Sequence, residues 1–231
     1  MYEYALTPAL SISFQRYPYP PGGFVTALPT SWGALPFLLS APRQLILPSP
    51  DGEAFWIGLV PSPAGRQHVV RVLVSTADRG RIDALTGTPA DDNEPSTGAG
   101  NLLAPPRHGI AGILRSDRSW WAFARDTGDT PAPACRGIEL LCRPVTTAGP
   151  VPRTSDPGRQ HAGPGYPPPP PESLPSQASP PDAGADDALS VPGHTWSVQV
   201  DLVQPGNFRA FGGPEVPSLE EANRYGGWRL P

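Results

Sequence analysis

A chain of 231 residues is long enough for one sizeable domain, but 35 Pro and 25 Gly, about a quarter of it, reach into the composition of disordered chains. The formal net charge is −4 and all 17 basic residues are Arg, scattered without the basic face that follows a phosphate backbone, so nucleic acid is excluded as an expected partner. Met1-Tyr2-Glu3-Tyr4 carries an acid where a secretory signal carries a base, and no apolar run nears the ~18 residues of a membrane span, so a soluble, cytoplasmic protein without membrane insertion is expected.

The first predicted element has Leu10, Ile12 and Phe14 alternating with Ser11, Ser13 and Gln15, the period of a strand with one wet face. The run Tyr17-Pro18-Tyr19-Pro20-Pro21-Gly22-Gly23 ends it. Thr30 to Ser40 is ambiguous, a short helix capped by Thr30 but interrupted by Pro36. From Glu53 to Val60, Phe55, Ile57 and Leu59 share one face while Trp56 and Val60 occupy the other, which reads as a central strand. After the turn at residues 61–65, Val70, Val72 and Val74 line a second strand, and the two together predict a hairpin. Ala77 to Leu85 predicts a short helix, capped by Ser75 or Thr76 and closed by Gly87, and weakened by Gly80. Pro89 to Gly100 reads as a loop. Gly109 to Leu114 and Ser119 to Arg125 flank Arg115-Ser116-Asp117-Arg118 as a further hairpin, and Gly137 to Val145 is another strand.

Between Pro144 and Pro192 there are 14 prolines in 49 residues, and apolar residues are almost absent from Thr146 onward. Such a stretch cannot offset the ~1–2 kcal/mol per residue that ordering costs, so residues 146–192 are expected to be a disordered Pro-rich insert. Trp196, Val198, Val200 and Leu202 then alternate with polar residues, a half-buried strand that needs the preceding sheet as a partner. Ser218-Leu219-Glu220-Glu221 is a capping box opening a one-turn helix that Gly226-Gly227 ends. The expected architecture is mainly β: an antiparallel β-sandwich or open barrel with one to three short helices. It comprises a main domain over 1–145, the insert over 146–192, and a C-terminal strand and helix over 193–231 that complete the same domain.

The chemistry is sparse. His68, His108, His161 and His194 show no metal-binding spacing, and Cys135 and Cys142 lack C-x-x-C geometry, so no metal is expected. If extended, the seven-residue spacing puts the two thiols on opposite faces and ~23 Å apart, too far for a disulfide and in keeping with a reducing compartment. No P-loop, dinucleotide fingerprint or nucleophile elbow is present, so no cofactor is expected. Arg66-Gln67-His68 and Arg107-His108 could set an acid–base imidazole beside a cation, oriented by Asp78 or Asp83, although such residues more often sit at solvated strand ends. Trp120-Trp121 with Phe123 is the most suggestive apolar cluster, because neighbouring strand residues face opposite ways and one Trp can stay at the surface to anchor a partner, although burial of both between sheet and helix is the more common arrangement. Tyr166 before Pro167 to Pro171 could dock in a partner's aromatic groove, or serve in a plain spacer.

Two fragments resemble known families. Phe55-Trp56-Ile57-Gly58-Leu59 is similar to a stretch of C-type lectin-like domains, and Gly227-Trp228-Arg229-Leu230-Pro231 resembles one in formylglycine-generating-enzyme-like domains. The lectin cysteine framework and calcium-binding residues are missing here, and no site is carried across. The leading expectation is a non-catalytic binding or assembly protein with protein partners. The alternatives are an enzyme or lysine-free effector with a site built from distant residues, and a component of a particle or secretion assembly.

Overall fold

Alternating apolar residues make strands here, and the dense prolines keep helices to about six residues. The computed structural model describes residues 1–62, 67–90, 101–127, 133–145 and 194–224. Its elements form a mainly β, two-layered sandwich with a small third sheet.

The four-stranded sheet runs β1 (Glu3–Thr7), β2 (Leu10–Pro18), β6 (Glu53–Pro61) and β10 (Gly109–Ile110), antiparallel throughout. The seven-stranded sheet runs β4 (Leu38–Ala41), β5 (Gln44–Pro48), β14 (Trp196–Val203), β13 (Cys135–Pro144), β7 (His68–Thr76) and β8 (Gly80–Asp83), with β9 (Leu102–Ala104) also paired to β7. Strand β14 lies antiparallel to β13 and parallel to β5, with Val200 level with both Ile138 and Leu45. Thus the strand beginning at Trp196 finds its partners in residues on the other side of the Pro-rich stretch. Met1–Val145 and Gly193–Pro231 make one compact unit, while Thr146–Pro192, where the disordered insert is expected, lies outside the described residues. The third sheet has β11 (Gly112–Leu114), β12 (Trp120–Ala122) and β3 (Phe24–Val25).

The core lies between the two larger sheets. Phe14, Ile57 and Leu59 from one layer meet Val70, Val72, Leu140, Val198 and Val200 from the other in a single buried cluster. Phe14 meets Phe37 and Phe55 edge-on at 6.1 and 5.9 Å between ring centres, and Phe55 stacks on Phe123 at 5.7 Å.

Several expectations are corrected. Glu53 to Val60 and the valine strand do not form a hairpin, because β6 pairs with β2 and β10 while β7 pairs with β13, β8 and β9. Their apolar faces pack against each other across the core, an arrangement with the same alternation as edge-on pairing. Ala77 to Leu85 is not helical. Gly80 takes φ of +69°, the chain turns back, and β8 pairs with β7, placing Ile82 level with Val74. The ambiguous Thr30–Ser40 segment is extended into β4, with Leu35 and Phe37 both in the core. The supposedly wet face of β2 is covered: Ser13 and Gln15 are buried and bonded to each other, and the Ser31 hydroxyl donates to Gln15 at 2.7 Å.

The two thiols also share one side. A register shift between Cys135 and Gly137 inserts an extra residue, which restores Cys135 to the face that carries Ile138, Leu140 and Cys142. In the region of the further hairpin, β11 and β12 pair around the Arg115–Ser119 turn as expected, whereas Gly109 and Ile110 instead extend the edge of β6. Helix α1 (Pro205–Ala210) is unforeseen and anchors through buried Phe208. Helix α2 (Leu219–Arg224) opens on the expected box: the Ser218 amide donates to Glu221 Oε2 at 2.8 Å, and the Glu221 amide donates to Ser218 Oγ at 3.2 Å. Gly226 and Gly227 lie outside the described residues. Among the described residues no helix is long and apolar enough to cross a membrane.

Candidate binding groove

The tryptophan doublet splits between two environments. Trp121, level with Phe24 in the third sheet, packs against the main core and meets the Phe24 ring edge-on at 6.3 Å. The Arg115 guanidinium sits 4.2 Å from the Trp121 ring centre and 4.3 Å from that of Phe24, so two aromatic faces hold it. Phe123 is fully buried against Phe55, which removes it from any surface role. Trp120 is half-buried and lines a groove of about 590 Å³ with Leu28, Leu85, Leu102, Leu103 and Leu114. That volume is within the ~300–1,000 Å³ of ordinary ligand pockets. A Cβ at Gly109 would lie 3.1 Å from Leu28 and 3.2 Å from the Trp56 ring, so this glycine lets both side chains close on β10. Among the described residues, Arg107 is the one charged residue of the lining.

Beside the third sheet, Tyr17, Ala54 and Ala122 form a second small cluster with Tyr19, Val25 and Trp56 packed on it. The Tyr17 and Tyr19 hydroxyls and Trp56 Nε1 are buried without a hydrogen-bond partner among the described residues. Burial raises the Tyr17 phenol well above its ordinary value, and neighbouring Tyr19 adds to the shift. Tyr166 and Arg66 lie outside the described residues.

The acid–base candidates do not converge. His68 is buried and its Nε2 lies 3.2 Å from the Thr7 hydroxyl, whereas His108 is exposed. Asp83 is level with Leu73, five residues along β7 from His68, or ~16 Å of strand. Its carboxylate is engaged by Arg71 Nε at 2.8 Å and by the Leu85 amide at 2.9 Å. Asp78 is exposed and paired with Arg79. Burial pushes the Cys135 and Cys142 thiols up to about 12, which leaves neither a nucleophile at neutral pH. Among the described residues no group of three His, Cys, Asp or Glu is placed to hold a metal. Leu28 and Leu103 carry no local sequence signal; each is a single leucine whose partners in the groove are distant in the chain. Comparison with protein-family models, curated proteins and solved structures gives no match to this chain.

Proposed function

We propose that the chain is a non-catalytic binding or assembly protein that holds a protein partner in the Trp120 groove. The observation that carries this reading is open apolar surface gathered in one groove: Leu28 is 46% and Leu103 38% exposed, and both line it with half-buried Trp120. Exposed apolar patches mark contact sites, and aromatic anchors seated in them carry much of an interface's binding energy. The two free, buried thiols support a cytoplasmic setting, and the composition of the Pro-rich stretch suits a tether between β13 and β14.

The test places a photo-crosslinking residue at Leu103 and, as a control, at Leu39, which is 54% exposed on β4 of the seven-stranded sheet. A partner captured from position 103 and not from 39 is expected, with Trp120→Ala weakening its binding at least about 30-fold. Equal capture from both positions, or full binding by Trp120→Ala, overturns the reading.

A further inference from the structure

We infer that the groove selects a peptide segment carrying a bulky apolar side chain next to a carboxylate, with Arg107 reading the acid. The inference rests on the preceding reading that the occupant is a protein segment. Among the described residues the lining holds one cation and no acid, so an entering carboxylate meets attraction from them. Arg107 is exposed and its guanidinium has no ion-pair partner among the described residues. By contrast Arg16, Arg71, Arg81 and Arg125 are each paired with a carboxylate of the chain.

The backbone that carries Arg107 is held on both sides. Its own amide donates to the Leu103 carbonyl at 3.3 Å, and the next carbonyl, of His108, accepts from the Leu59 amide of β6 at 2.9 Å. Gln67 Nε2 donates to the Pro105 carbonyl at 3.2 Å and ties the same turn to the start of β7. A guanidinium on an anchored turn loses less freedom on binding than one on a loose loop, and its planar fork matches a carboxylate. Trp120 and the leucines then take the apolar side chain, so two chemistries line one groove.

A displayed library of random nine-residue peptides, selected on the full-length protein and counter-selected on Trp120→Ala, tests this. Enriched peptides should carry Asp or Glu within two residues of Leu, Phe or Trp, and changing that acid to its amide should weaken binding roughly 5-fold or more. Arg107→Glu, at an exposed residue without an ion pair, should keep the fold and enrich Arg or Lys at the same place. Trp120-dependent binding with no preference for acid, or no change with Arg107→Glu, overturns the inference and leaves the proposed function standing. An absence of Trp120-dependent enrichment overturns both. Occupation by decanoate with no peptide bound, or self-association lost in Trp120→Ala, also overturns the inference, since the occupant is then a free apolar acid or a second copy.

Discussion

The interior of the sandwich and the layer around the third sheet are built from similar residues to different standards. Among the described residues, 27 buried side chains form one continuous cluster centred between the large sheets, whereas the second cluster holds three with three more packed on it. The interior places aromatic rings edge-on or stacked with each other. The outer layer leaves two phenol hydroxyls and an indole N–H without acceptors among the described residues, and borders the groove that exposes Leu28 and Leu103. The difference teaches that stability is concentrated between the sheets, while the layer beside the third sheet carries unsatisfied groups and open apolar surface that add little to it.

The largest expected effect tests the first half of that contrast. Phe55→Ala removes a ring that packs on both Phe14 and Phe123, and should cost about 3–5 kcal/mol in urea unfolding. A loss below about 1 kcal/mol would mean that the interior is less tightly packed than the ring geometry indicates.

Per group, a smaller effect comes from the thiols within the same core. Because burial raises Cys135 and Cys142 from 9.0 to about 12, the folded chain keeps both protons over a range in which the unfolded chain releases them. The stability they contribute is therefore complete below about 9 and is lost as pH rises toward about 12, on the order of 2–3 kcal/mol per thiol near pH 11. Tyr17 adds in the same direction. Denaturant midpoints measured from pH 8 upward should fall, and Cys142→Ala should flatten the fall. A slope unaffected by that substitution would place the titration elsewhere.

The smallest effect probes the outer layer. Removing the unpartnered Tyr17 hydroxyl with Tyr17→Phe should leave stability unchanged or raise it by up to about 1 kcal/mol, since a buried donor without an acceptor is a cost. A clear destabilisation would show that the hydroxyl has a bound partner and would narrow the difference between the two regions.

Local pattern accounts for much of the fold. Alternation in Leu10–Phe14, in Ile138–Cys142 and in Trp196–Leu202 marks β2, β13 and β14, and a Ser-x-x-Glu spacing marks the start of α2. The tryptophan doublet draws attention to Trp120, but the groove around it is assembled from residues between 28 and 120, which no window of sequence brings together.

The sequence by itself determined that the chain is mainly β with short helices, because side-chain period and proline density act within a few residues of the backbone. Only the tertiary structure decided which strands pair. It put β6 and β7 in different layers, turned an expected helix into β8, and used an extra residue in β13 to bring both thiols to the core. The physical reason is that alternation says a strand has an apolar face and leaves open whether that face meets a neighbour edge-on in its own sheet or a layer across the core.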